Sequence, residues 1–322
     1  MKMLTCKEAA ALIGGWDDIL VICHENPDGD ALGSMSGLVR GLRSLGKRAG
    51  WYCASPLPEK FAYLFQGLEE IDFAPEHIVT VDVADSKLLG DAWDKFGDRI
   101  DLAIDHHGTH MPFAKERWVE PGSAAAAEMV WLLLKELGAE PDEAAAGCLY
   151  TGMATDTGCF RYRNVTPRTL RAAADALEAG APAGDINQRN FETRTRASIE
   201  AEKLITDTLE FHCGGRLAII QLPQSVYEST GASENELDGV ESLPRQIEGV
   251  LIGVTVKERP EGRIKISLRS NPPVNAADIC GRFGGGGHPG AAGCSFEGIT
   301  MDEARQRMLT ACREYLQEIG SI

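Results

Sequence analysis

Short apolar runs alternate with helically spaced ones through the first half of the chain. Residues 17–24 (DDILVICH) read as a buried strand, and 29–46 (GDALGSMSGLVRGLRSLG) as a helix. RAGWYCA at 48–54, HIVTVDVAD at 77–85 and IDLAIDHH at 100–107 read as further strands, the last two ending in polar residues. Three helical patterns follow at 124–138, 141–158 and 166–180, with Pro141–Asp142 opening one and Gly138 and Gly180 closing two. Strand–helix alternation of this kind argues for an α/β fold on a parallel sheet.

The texture changes after residue 193. Residues 194–212 (RTRASIEAEKLITDTLEFH) read as one long helix, stopped by the glycines after Cys213. It is expected to connect two domains, so the chain divides as 1–192, a linker helix at 193–213, and 214–322. RLAIIQL (216–222), GVLIGVTVKER (249–259) and GRIKISLRS (262–270) read as strands, the last two as a hairpin across Pro260–Gly262. The glycine-rich GGGGHPGAAGCSF (284–296) and an amphipathic helix at 301–318 complete a smaller α/β domain. No repeat or low-complexity tract interrupts the pattern.

The length of 322 residues fits two domains. No apolar stretch is long enough to span a membrane, and the N-terminus has no apolar core or cleavage site of a signal peptide. A cytoplasmic protein with no membrane partner is expected. The nine cysteines include no CxxC pair and read as reduced thiols, among them Cys23, Cys148 and Cys159 on apolar segments. The net charge of −16 argues against sequence-independent binding to long nucleic acid, which needs a basic surface. It leaves room for a small anionic substrate, because bound metal ions invert the field of an acidic cleft.

Candidate chemistry gathers where the apolar segments end. The strand at 19–23 delivers His24, Asp28 and Asp30. The strand at 78–83 delivers Asp82, the strand at 100–104 delivers Asp105, His106 and His107, and the helix from 141 delivers Asp156. Ligands of open parallel sheets bind beyond the carboxyl ends of the strands, so these residues can converge. Each alone has a plainer reading: Asp28-Gly29-Asp30 suits a helix cap, and a lone histidine suits the core. Together they form a carboxylate–imidazole set without thiolate. That set suits Mn²⁺, with Mg²⁺, Fe²⁺ or Co²⁺ as alternatives, and two such ions clamp a phosphoester during hydrolysis. His77, His110 and His212 lack this context and read as structural. In the second domain, the glycines before His288 can bring backbone N–H groups close to a phosphate, and Arg269 can bind one bidentately.

The segments HENPDGDALGS, VDVAD, DHH and TDTGCFRYRNVTP resemble, in order and spacing, the four motifs of the DHH phosphoesterase family. SLRS, VNAADIC and GGGGHPGAAG resemble its C-terminal DHHA1 domain. The resemblance spans nearly the whole chain, and the compact length is similar to the NrnA-type branch of oligoribonucleases (nanoRNases) and 3′-phosphoadenosine-5′-phosphate (pAp) phosphatases. It implies a parallel-sheet DHH domain joined by a linker helix to a DHHA1 domain, with the active site in the cleft between them. His24, Asp28 and Asp82 would hold one ion, and Asp30, Asp82, His106 and Asp156 the second, with Asp82 bridging and a water between the ions as nucleophile. His107 would face the phosphate and Asp105 would orient the histidines. Arg269, Ser270, Asn275, Gly285, Gly286, Gly287 and His288 would bind substrate, and Phe160, Tyr162 and Phe283 are candidates for stacking on bases. The partners implied are short oligonucleotides, pAp-like nucleotides and a second copy of the chain. Hydrolysis of linear or cyclic dinucleotides (pApA, pGpG, c-di-AMP), a pyrophosphatase or polyphosphatase, and a silent nucleotide-binding module are the rival readings. One departure from the family pattern is visible: an Asn is frequent shortly after the DHH motif, where this chain has His110.

Overall fold

The computed structural model describes residues 2–69, 71–237 and 239–322. They divide between Thr193 and Arg194 into two compact units, each with its own six-stranded sheet. The first unit carries β1 (Lys2–Met3), β2 (Ile19–Ile22), β3 (Ala49–Tyr52), β4 (His77–Val81), β5 (Leu102–Asp105) and β6 (Glu116–Val119). All pair in parallel, in the order β1-β6-β5-β4-β2-β3. Its helices are α1 (Cys6–Gly14), α2 (Gly29–Ser44), α3 (Asp91–Phe96), α4 (Ala126–Glu136), α5 (Glu143–Asp156), α6 (Pro167–Glu178) and α7 (Ala183–Asn187).

Alternate strand residues feed two cores, as the period of two requires. Ile19, Val21, Val79, Val81, Leu102 and Ile104 join the cluster that holds α2, α4 and α5. Leu20, Ile22, Ile78 and Ala103 join a smaller cluster with Ala92 of α3. The chain passes from β2 to β3 on one side and then returns to β4 on the other side of β2. This reversal opens a crevice at the carboxyl ends of β2 and β4, the usual ligand position in such sheets.

Helix α2 packs unusually close to α5. A Cβ added at Gly33 would lie 2.5 Å from the carbonyl oxygen of Cys148 and 2.9 Å from the nitrogen of Gly152. Asp28 caps α2, its Oδ1 accepting from the N–H groups of Asp30 and Ala31 at 3.0 Å. The first turn of α2 therefore meets the last turn of α5, which ends at Asp156.

The second unit carries β7 (Glu210–His212), β8 (Leu217–Leu222), β9 (Ile252–Glu258), β10 (Ile264–Ser270), β11 (Gly286–His288) and β12 (Ala291–Phe296), in the order β11-β12-β10-β9-β8-β7. Only β8 and β9 pair in parallel. Helices α10 (Ala276–Gly281) and α11 (Met301–Glu318) cover one core, and α8 (Arg196–Thr206) and α9 (Gln224–Thr230) cover another.

The long connector helix expected at 194–212 is not formed. Helix α8 stops at Thr206, and residues 210–212 are an edge strand paired with β8. Thr208 explains the break: its hydroxyl donates to the carbonyl of Ile205 at 2.6 Å and accepts from the N–H of Gln221 at 2.8 Å, turning the chain onto the sheet. Ala201 and Ile205 are buried against Ile220 and Leu222, so α8 is part of the second unit's core. Strands β1 and β6 and helix α1 had no counterpart in the apolar pattern. β1 is two residues long, and β6 (ERWV) buries only Trp118.

The α2–α5 contact gives a stability test. Gly33→Ala sets a methyl against backbone atoms that cannot rotate away, and should cost about 1–3 kcal/mol in urea unfolding. Unchanged stability would mean that the two helices have room to part.

Candidate metal centre

The crevice collects its polar side chains from five elements. His24 follows β2, Asp28 and Asp30 open α2, Asp82 follows β4, His106 follows β5, and Asp156 ends α5. Each histidine is fixed at Nδ1. That of His24 lies 2.8 Å from the carbonyl oxygen of Glu25, and that of His106 lies 3.3 Å from the carbonyl oxygen of Ser123. A donated Nδ1–H leaves the Nε2 lone pair free for a cation. Those Nε2 atoms face carboxylates: His24 lies 3.8 Å from Asp82 Oδ2, while His106 lies 3.4 Å from Asp82 Oδ1, 3.5 Å from Asp156 Oδ2 and 3.8 Å from Asp30 Oδ2.

Two ligand groups result. His24, Asp28 and Asp82 offer ligand atoms within 4.8 Å of one another, and so do Asp30, His106 and Asp156. Asp82 turns one oxygen toward each group. It is buried, its Oδ1 has no hydrogen-bond partner, and its backbone sits at φ +58°, a conformation that L-residues seldom adopt. An unsatisfied buried carboxylate oxygen, a hard donor set and two groups sharing one residue fit a pair of divalent cations. A third grouping, Asp82 with His106 and His107, overlaps both, and its His107 Nδ1 already lies 2.7 Å from Asp105 Oδ1.

Cap and ligand prove to be compatible roles. Asp28 caps α2 through one oxygen and has its other oxygen free. Asp30 is fully buried and accepts from the N–H groups of Ala126 at 2.6 Å and Ala127 at 2.9 Å, so it caps α4 from another helix. Ala125, at the N-cap position of α4, makes no side-chain cap of its own.

Electrostatics bear the mark of crowded anions. Burial, then the charge of Asp82, pushes the carboxyls of Asp28 and Asp30 up. Burial likewise raises Asp156, to about 6. Burial disfavours charge on His106, but the close approach of Asp82 and the fields of Asp30, Asp82 and Asp156 outweigh it and raise the imidazole to about 10. Asp105, beside the cluster, is held well below the usual carboxylate range: burial opposes this, but hydrogen bonds from His107 and His110 dominate.

Sequence reasoning missed three residues around this centre. His110 is no isolated structural histidine: its Nδ1 lies 2.7 Å from Asp105 Oδ2. Asn164 donates to the carbonyls of Asp156 and Ala124, tying the end of α5 to the segment before α4. Arg168 donates to Glu128, Glu120 and the hydroxyl of Ser123, the residue whose carbonyl holds His106. A basic residue in the first turn of α6 carries no signal of that role. His77 and His212 stay apart from the centre, His77 stacked on Trp16 and His212 beside Glu210.

The second unit places its expected residues differently. Arg269, on β10, is half-buried; among the described residues its only side-chain hydrogen bond goes to the carbonyl of Leu268, and no carboxylate pairs with it. Gly286 and His288 are exposed on β11. Gly285 has a packing reason to lack a side chain, since a Cβ there would lie 2.2 Å from the carbonyl oxygen of Gly293; at Gly287 the backbone φ is +145°. Ser270 is buried, its hydroxyl 2.8 Å from the carbonyl of Pro289 and 3.1 Å from that of Val274, so it closes a loop instead of offering a free hydroxyl to a ligand. Asn275 caps α10 through the N–H of Ala277. Phe160 and Phe283 pack against the cores, and only Tyr162 is largely exposed.

Residues 18–153 match the N-terminal domain of the DHH family, and residues 214–318 match the DHHA1 domain. A bifunctional oligoribonuclease and PAP phosphatase, NrnA of Thermus thermophilus, is 37% identical over 99% of this chain and 96% of its own. The chain belongs to the DHH family of phosphoesterases. The NrnA of Bacillus subtilis, with the same description, is 25% identical over 96% of this chain and 99% of its own. The crystal structure of an exopolyphosphatase-related protein from Bacteroides fragilis has the same fold, with a TM-score of 0.87 over 96% of each chain at 23% identity. DHH phosphoesterases use divalent metals, and the two ligand groups above are where this chain has residues to hold them.

Two tests address the centre itself. In metal-free protein, Asp30→Ala should lower stability by about 1–2 kcal/mol through loss of the α4 cap. Asp82→Asn should not lower it, because Asn tolerates the positive φ and relieves an unpaired buried oxygen. Urea unfolding in EDTA separates the two, and equal losses would remove the distinction. The second test is proton release. The surrounding carboxylates favour the protonated form of His106 in the metal-free protein, raising it to about 10, whereas a metal binds the neutral imidazole, so binding should expel a proton and affinity should rise with pH below about 10. Calorimetry at pH 7.5 in two buffers of different ionisation enthalpy should show at least one proton released per chain, with any excess coming from the raised carboxyls such as Asp30. Zero release would mean that His106 is not a ligand.

Proposed function

We propose that this chain is a two-metal phosphoesterase that hydrolyses very short oligonucleotides to mononucleotides and converts pAp to AMP, with Mn²⁺ as its preferred ion. The observation that carries the reading is Asp82, whose two oxygens face two separate ligand groups in the crevice. The names of the Thermus and Bacillus relatives, matched along nearly their whole length, supply the substrate class. A pair of divalent ions supplies an activated water and stabilises the attacking and leaving oxygens of a phosphoester.

The chain's own residues do the rest. His24, Asp28 and Asp82 hold one ion, and Asp30, His106, Asp156 and Asp82 hold the other. His107 is 41% exposed at its side chain and is gripped by Asp105 at Nδ1, so its other nitrogen is available to the phosphate. Arg269, with no carboxylate partner among the described residues, binds a substrate phosphate, helped by His288 and the N–H groups around Gly286. The net charge of −16 repels a long polyanion from every surface the ions do not neutralise, which favours short substrates.

A substrate panel tests this directly. EDTA should abolish turnover and Mn²⁺ should restore it best. pAp and 2- to 5-mer RNA should be cleaved with far higher kcat/KM than a 24-mer. Full activity in EDTA would end the two-metal reading, equal rates on short and long RNA would end the length preference, and cleavage of pApA, cyclic dinucleotides or pyrophosphate alone would transfer the activity to one of those substrates.

Arg269→Ala should leave metal binding unchanged and raise KM for phosphorylated substrates about tenfold to hundredfold, the worth of one or two hydrogen bonds to a charged group. The same factor on a dinucleotide without a 5′-phosphate would mean that Arg269 does not grip that phosphate.

A further inference from the structure

Asp105 ends β5 with its carboxylate wholly buried, and each of its oxygens takes a different imidazole. Oδ1 lies 2.7 Å from His107 Nδ1, and Oδ2 lies 2.7 Å from His110 Nδ1. The two histidines differ in setting. His107 is 41% exposed, whereas the His110 side chain is 3% exposed, its ring tilted over Phe113 with centroids 5.4 Å apart. His110 Nε2 is buried with no hydrogen-bond partner among the described residues. The segment is also tied by its backbone, with the N–H of His110 donating to the carbonyl of His107 and that of Met111 to the carbonyl of Ala84.

This setting selects one form of His110. With the proton on Nδ1 it donates to Asp105 and buries only an acceptor lone pair. With the proton on Nε2 it would bury an unpaired donor and press a lone pair against a carboxylate oxygen. Without a donor from position 110, Oδ2 would be buried and unsatisfied, and the carboxylate would be free to turn away from His107. His107 is too exposed for packing to hold its ring, so the bond to Asp105 is what sets its orientation and keeps its proton on Nδ1.

We propose that His110 is a positioning residue for the reaction, acting through Asp105 to fix the ring orientation and tautomer of His107. The proposal rests on the hydrolase reading for its kinetic consequence and on hydrogen bonding alone for its structural one. Nothing in His110 touches substrate or metal in this scheme. Its whole effect is to hold one carboxylate from behind, in the manner of the outer partners that orient metal-site histidines.

The test uses the full chain labelled with ¹⁵N-histidine and loaded with diamagnetic Mg²⁺. In wild type, His110 and His107 should both carry their proton on Nδ1 in long-range ¹⁵N–¹H correlation spectra. His110→Leu should give His107 mixed tautomers, lower kcat about tenfold to hundredfold with little change in KM, and leave Mg²⁺ affinity unchanged. His110→Asn, whose amide N–H sits where Nδ1–H was, should restore both the tautomer and kcat. A wild-type His110 protonated on Nε2 would overturn the proposal, as would a His110→Leu protein with wild-type kcat and an unaltered His107. If His110→Leu does not fold, the wild-type tautomers and the His110→Asn protein decide, and an Asn variant that folds but loses both readouts overturns it. Absence of turnover by wild type on pAp and short RNA would defeat the substrate reading, while the His107 spectra would still judge His110.

Discussion

Mutual repulsion among four carboxylates, Asp28, Asp30, Asp82 and Asp156, is the constraint around which the first unit is organised. Asp30, Asp82 and Asp156 face the imidazole of His106, Asp28 and Asp82 share a group with His24, and burial together with their fields raises three of the four. A flexible site would relieve this by turning side chains out to water. Here two of the four are tied down by hydrogen bonds. Asp28 and Asp30 each accept two backbone N–H groups at a helix start, where the helix dipole favours negative charge. Asp82 is set by a strained backbone, and Asp156 by the close packing of α5 against α2. The fold thus crowds four carboxyl groups around little positive charge beyond that of His106, and a pair of divalent cations would relieve the repulsion.

Much of this crevice was legible in the sequence because its polar residues sit where strands stop. The apolar runs ending at Cys23, Val81 and Ile104 located three strand ends, and the acids and histidines after them are the ones the crevice collects. The resemblance to the DHH motifs then grouped those residues into two sets. What stayed hidden was the role of atoms in place of residues. Asp28 looked like a cap or a ligand, but a carboxylate has two oxygens and the structure leaves one for each use. His110 was set aside because it lies three residues beyond the DHH run, and only the turn at 107–110 brings it back under Asp105. Arg168 acts through Ser123, forty-five positions away, whose hydroxyl it binds and whose carbonyl faces His106, and no local pattern encodes this.

The second unit was harder to read for a related reason. Its glycine run satisfies two demands that look identical in sequence. Gly285 is small because β11 lies close against β12, whereas Gly286 is small with open space around it. Only the open one has room beside it for a ligand. The break at Thr206 was missed because a helical pattern of apolar residues continues through Leu209, and the side chain of Thr208 overrides it from within the loop.

The double engagement of Asp30 has a consequence for telling working enzymes from their decayed descendants. A descendant that had lost its activity would still need Asp30, because α4 has no other side-chain cap, so the presence of this residue says little about whether a sequence still turns over substrate. Asp82 has no comparable structural duty. Its oxygen is unsatisfied and its backbone is strained, so drift should remove it soon after selection for catalysis relaxes. In a DHH sequence of uncertain status, the residue to inspect first is the one the fold would be better off without.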